Sequence, residues 1–202
     1  MANTEFPRGL FPLIRSAGQT LNTRYFLANT AADIYLGMPV DLGSDGLVAP
    51  MGVNTAGAIK SIGVVVGFDV NGATHALDPF LDVSDLGNDT VKLQVCIDPA
   101  QEYLIQEDTG GSALTQADAG TVGVLIYLTG SGNTNTGWAN LMIDRSTVAA
   151  SGSGQVQLLR LQEIVNRDGT QNAGGNFATW VVRLLGNRYA LNPASLLGDP
   201  AV

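Results

Sequence analysis

Apolar residues recur at every second position through much of this 202-residue chain, and that period constrains the fold more than any other feature of the sequence. Val91, Leu93, Val95 and Ile97 alternate with Lys92, Gln94, Cys96 and Asp98. Ala139, Leu141 and Ile143 alternate with Asn140, Met142 and Asp144. Ile62, Val64, Val66, Phe68 and Val70 alternate with Ser61, Gly63, Gly67 and Asp69, and only Val65 breaks the pattern. A strand points successive side chains to opposite faces, so each segment predicts a half-buried strand. Val122–Leu128 and Ala178–Leu185 are apolar on both faces instead. They predict central strands, or strands whose outer face meets another subunit.

Turn signals cut these runs at short intervals: Gly43-Ser-Asp-Gly46, Asn71-Gly72, Gly110-Gly111, Gly130-Ser-Gly-Asn133, Asp168-Gly169 and Gly174-Gly175. Such residues accept the positive φ of tight turns. Many short strands separated by turns predict an all-β chain, an antiparallel β-sandwich or β-barrel of jelly-roll-like kind with little helix. Gln155–Arg167 and Phe177–Ala190 read as the arms of a hairpin. The best helix candidate is Ala113–Ala119, with Ser112 as N-cap and Gly120 as stop. Residues 1–20 are apolar but aperiodic, and prolines follow Phe6 and Phe11. The residue before a proline is pushed toward an extended conformation. This predicts an extended N-terminal arm (1–20) lying across the chain's own barrel or a neighbour, whose removal leaves the barrel folded. A single β-domain (21–190) and an extended tail (191–202) follow.

Charge narrows the partners. Eighteen acidic residues against ten basic give a net charge of −8, and only Lys60 and Lys92 are lysines. The eight arginines are scattered. Nucleic-acid binders cluster Lys and Arg against phosphates, so no nucleic-acid partner is expected. No apolar run approaches the ~18 residues of a membrane helix, so no membrane partner is expected. The N-terminus lacks a basic head followed by an apolar stretch, which points to synthesis in a cytoplasm.

Chemistry-bearing residues are sparse. His75 and Cys96 are the only histidine and cysteine. A zinc site needs three or four ligands at suitable spacing, and a serine triad needs a histidine and commonly a Gly-x-Ser-x-Gly elbow, which is missing. Gly52–Gly57 has the glycine spacing of a phosphate loop, but Lys60 is displaced by two positions and a strand follows. Asp41–Gly46 resembles half a calcium loop without the later ligands. Asp98, Glu102, Glu107 and Asp108 are close enough in sequence to supply the paired carboxylates of a glycosidase, if two of them face across a groove. Trp138 and Trp180 sit in strand-like runs, as core residues do. The expectation is a non-enzyme without cofactor or metal.

A series of short segments carries a resemblance. It begins with Gly37-Met-Pro-Val-Asp-Leu42, Gly46-Leu-Val-Ala-Pro50 and Ile62-Gly-Val-Val-Val-Gly-Phe68. Val95-Cys-Ile-Asp-Pro99, Glu102-Tyr-Leu-Ile-Gln106 and Ala117-Asp-Ala-Gly120 continue it. Asn140-Leu-Met-Ile-Asp144 and Trp180-Val-Val-Arg-Leu-Leu-Gly-Asn-Arg188 close it. Together, over residues 35–190, they resemble the capsid decoration, cement or head-stabilising proteins of tailed bacteriophages. The resemblance implies a β-barrel body and homotrimers on the outside of a capsid. It implies the major capsid protein as partner and the virion surface as location. Another virion part, such as a head fibre base, tail knob or host-glycan-binding module, is the alternative. Phe6, Arg8, Phe11 and Arg15 on the arm are the expected partner contacts, because guanidinium forks suit carboxylates at interfaces.

Overall fold

A computed structural model describes residues 5, 7–14, 20–29, 32–52, 61–70, 73–74, 80–81, 91–149, 155–161 and 176–186. Fourteen named strands lie among them. They are β1 (Phe11–Pro12), β2 (Thr23–Leu27), β3 (Ile34–Tyr35), β4 (Pro39–Leu42), β5 (Val48–Pro50), β6 (Gly63–Val70) and β7 (Ala73–Thr74). The chain continues through β8 (Phe80–Leu81), β9 (Val91–Cys96), β10 (Glu102–Gln106), β11 (Val122–Gly132), β12 (Ala139–Ala149), β13 (Val156–Leu161) and β14 (Thr179–Leu184). The fold is all-β. One sheet runs β1-β10-β14-β13-β11-β12, another β2-β9-β6-β4-β5 with β7 added to β6, and β3 pairs with β8. Every strand pair is antiparallel.

Both large sheets curl until distant strands meet at single parallel bridges. Ala28, just after β2, bridges Val48 of β5, and Glu107, just after β10, bridges Ile143 of β12. Closing a sheet in this way removes part of its exposed edge. One apolar core serves both sheets, drawing Leu93, Val95 and Val64 from one and Trp180, Leu125 and Leu158 from the other.

The alternation in the sequence becomes burial in β9, where Val91, Leu93 and Val95 are buried and Lys92 is exposed. The expected face of β6 is corrected by a bulge. Val65 pairs with Val95, the register shifts, and Phe68 then pairs with Leu93. The extra residue flips the phase, so Val65 shares the core face with Phe68. That is why Val65 looked irregular. The two fully apolar runs, β11 and β14, are interior strands, each flanked on both sides. β13 and β14 form the expected hairpin pair over their described residues. The expected helix shrinks to one 3-10 turn, Gln116–Asp118. Its start is Thr115 rather than Ser112, because the Thr115 N–H donates to Asp118 Oδ2 at 2.7 Å and ties the turn shut.

Residues 9–13 are stitched onto the body. Phe11 and Pro12 pair with Leu104 and Tyr103 of β10. The Leu10 N–H donates to the Gly37 carbonyl and the Leu13 N–H to the Glu102 carbonyl, both at 2.9 Å. Gly9 and Gly37 make this crossing feasible. Each has positive φ, and a Cβ on Gly9 would sit 2.6 Å from the Gly37 oxygen. The Leu10 side chain is fully buried in the core.

Candidate functional site

Two places combine side chains in ways that exceed ordinary strand packing. The first is a buried polar cluster where the first sheet closes. The Glu107 N–H donates to the Ala178 carbonyl and the Asp108 N–H to the Ile143 carbonyl, so the segment after β10 is held between β14 and β12. Arg145 projects from β12 into this seam. Its Nη1 donates to Glu107 Oε1 at 3.2 Å and to Asn176 Oδ1 at 3.1 Å. Its Nε and Nη2 donate to the carbonyls of Gly110 and Gly111, each at 3.0 Å. Its backbone N–H donates to Asp108 Oδ1. The Trp180 indole N–H donates to Glu107 Oε2 at 2.8 Å. Glu107 is fully buried, and Arg145 and Asp108 nearly so.

Each acceptor and donor in the cluster therefore has a structural task. The planar guanidinium ties β12, the 107–111 segment and Asn176 into one unit, which a lysine could not do with a single point charge. Burial pushes the Glu107 carboxyl above its ordinary range; the Trp180 and Arg145 hydrogen bonds and the arginine's charge pull it back only partly. A carboxyl raised in the folded state takes up its proton at higher pH than in the unfolded chain. Its neutral form thus stabilises the fold fully below the ordinary glutamate range, and that contribution is lost as pH rises through the raised value. Denaturant titrations from pH 4.5 to 7.5 are expected to show wild type losing stability relative to Glu107→Gln as pH rises. A flat difference would contradict the assignment.

The candidate residues from the sequence fall out as follows. Asp98 Oδ1 accepts the Ala100 N–H and shapes the β9–β10 turn. Glu102 lies 3.7 Å from Arg160 Nη1. Glu107 and Asp108 share Arg145. Of the four carboxylates considered for glycoside chemistry, two are thus locked in the buried cluster and the other two serve a turn and an ion pair. Asp41 Oδ1 accepts the Leu42 N–H and Asp45 Oδ1 the Leu47 N–H, so the half calcium loop is the β4–β5 hairpin itself. An open hollow of about 360 Å³ beside it is lined by Asp41, Leu42, Ala49, Pro50 and Met51. Burial pushes the Cys96 thiol up, the opposite of what a thiolate nucleophile or ligand needs. Trp180 is fully buried, in keeping with a core role. Phe6, Arg15, His75 and most of Gly52–Gly57 lie outside the described residues. Among the described residues, no group of three His, Cys, Asp or Glu side chains gathers as a metal site would. No helix among them is long and apolar enough to cross a membrane.

The second place is at the sheet edges. Phe11 and Ile14 are 37% and 55% exposed, and Tyr25 and Leu27 are 56% and 46% exposed. Phe11 leans on Trp138, ring centroids 5.4 Å apart, and Arg8 is exposed nearby in the chain. The turn between β9 and β10 holds both segments: Gln101 Nε2 donates to the Leu13 carbonyl, and the Ile97 N–H donates to the Asn22 carbonyl. Two exposed apolar pairs therefore flank one turn. Of these four, sequence reasoning singled out only Phe11. Tyr25 and Leu27 sit in Thr-Arg-Tyr-Phe-Leu, where both faces of the strand carry a large apolar residue, so nothing local marks which face is outside.

Comparison of the chain with protein-family models, with curated proteins and with solved structures finds no match.

Proposed function

We propose that this chain is a structural virion protein that binds the outside of a tailed-phage capsid and stabilises it by bridging major capsid subunits. In this reading it assembles as a homotrimer, with the major capsid protein as its other partner. It is made in the host bacterial cytoplasm and resides on the virion surface. The single observation that carries the reading is the exposure of Phe11, Ile14, Tyr25 and Leu27 at the edges of two otherwise well-buried sheets. Large apolar side chains exposed in two pairs, Phe11 with Ile14 and Tyr25 with Leu27, suit contact with another macromolecule. Interfaces are poor in charge and rich in aromatic residues at their centre, which suits Phe11 and Tyr25. The phage-protein resemblance supplies the identity of the partner. Symmetric repetition of modest contacts multiplies their effect, because linked modules bind at high effective concentration.

The test mixes the purified full chain with phage shells that lack it. Co-sedimentation that saturates at a fixed copy number per shell, with a raised shell melting temperature, is expected. Absence of the protein from the pellet at every salt concentration would end the proposal.

A further inference from the structure

Among the described residues nothing pairs with the outer edge of β2 over residues 23–27, and the geometry of that edge specifies what can lie there. The Ile97 N–H donates to Asn22 and the Ala28 N–H donates to Val91. The register between these points is unbroken, Thr23 opposite Cys96 to Leu27 opposite Lys92. In an antiparallel ladder, residues bonded to the partner alternate with residues that turn their N–H and C=O away. Residues 22, 24, 26 and 28 therefore bond β9, and Thr23, Tyr25 and Leu27 point their backbone groups outward. Asn29 follows the same phase, and its N–H reaches the Val48 carbonyl at 2.7 Å. β5 thus covers the outward side only past residue 28. No described strand pairs with it over residues 23–27.

The side chains along this edge are equally specific. Tyr25 and Leu27 share one face with Thr23 and are both exposed. Arg24 stands exposed on the opposite face and is the only charged residue of the strand. On the outer face, Lys92 lies beside Leu27, with Asp69 of β6 in register on its far side. Two copies of β2 paired about Tyr25 would place Arg24 diagonal to its counterpart on one face, with no acidic residue of either strand between them. A partner of opposite sign is preferred.

We infer that the edge of β2 accepts an extended strand from another protein, one with apolar residues two apart and a carboxylate between them. The apolar pair lies against Tyr25 and Leu27. The carboxylate lies against Arg24. The added strand's backbone takes the outward N–H and C=O groups of Thr23, Tyr25 and Leu27, as in strand addition generally. The surface so defined shares Tyr25 and Leu27 with the virion reading but does not rest on it, because its chemistry is set by this chain alone.

The probe is a fluorescein-labelled nonapeptide, Thr-Val-Glu-Val-Glu-Val-Glu-Val-Thr, with a control in which lysine replaces each glutamate. Anisotropy with the full chain is expected to show at least tenfold tighter binding of the acidic peptide. Arg24→Glu is expected to abolish or reverse that preference. Tyr25→Pro removes an outward N–H without touching the ladder to β9, and is expected to weaken binding of the acidic peptide at least tenfold. Thermal melting checks that both variants fold, and Arg24→Glu, at an exposed position, decides the matter if the proline variant does not. Equal binding of the two peptides, no binding of either, or binding unchanged by Arg24→Glu overturns the inference. So does sedimentation showing that Tyr25→Pro turns an oligomer into monomers, since a second copy would then hold the edge. Any of these results leaves the shell co-sedimentation test standing by itself.

Discussion

Replacing Arg145 with leucine is expected to destabilise the fold by about 3–5 kcal/mol, the usual cost of removing one member of a buried ion pair. The loss has several sources. Glu107 Oε1 and Asp108 lose their cation, and the carbonyls of Gly110 and Gly111 and Asn176 Oδ1 lose their donors. The fully buried Glu107 carboxylate, left without its cation, carries most of the cost, because water can replace the donor at the part-exposed Gly110, Gly111 and Asn176 acceptors. A domain's whole stability is about 5–15 kcal/mol, so this one change removes a large share. Glu107→Gln combined with Arg145→Leu is expected to recover part of the loss, because the stranded negative charge at Glu107 is gone. The double-mutant cycle by denaturant unfolding measures that coupling. A loss below about 1 kcal/mol for the single variant would show that water reaches the seam and that the cluster is not the closure of the sheet.

The N-terminal segment carries the second large effect. Leu10→Ala is expected to cost about 2–5 kcal/mol, the range for truncating a buried leucine. Leu10 is fully buried, and its N–H is bonded to Gly37, so little relaxation is open to the site. Deleting residues 1–20 removes the same side chain together with β1 and the Phe11–Trp138 contact, and is expected to cost more. The sequence, read alone, has the barrel surviving this deletion intact. The burial of Leu10 reverses that expectation. A truncated chain melting within about 2 °C of the full chain would restore it, since even 1 kcal/mol shifts a melting temperature by roughly 2–4 °C at this size.

The polar cluster and the open edge place different demands on the chain. At the seam, Arg145 satisfies many acceptors at once, and a hydrogen-bonded ion pair of this kind fixes which strands meet. At β2, backbone groups and large apolar side chains face outward together, a combination that natural proteins usually cover or blunt. Arg24 is the one charge on that strand that could discourage the wrong partner.

What the sequence determined by itself was the local period. Val91–Ile97 and Ala139–Ile143 could be assigned to strands because alternation follows from the geometry of a single extended chain, but Cys96 and Met142, read onto the outward faces, are fully buried by what packs over them. The two fully apolar runs, having no polar face, read as central strands or as strands meeting another subunit, and β11 and β14 are interior. What only the tertiary structure decided depends on which segments meet. The bulge that flips β6 at Val65 appears only when β6 is laid against β9. Arg145 and Glu107 are 38 residues apart, so no local pattern joins them. The burial of Leu10 and the exposure of Tyr25 both turn on long-range pairing. A strand becomes an edge, and a leucine becomes core, only through what the rest of the chain places beside it.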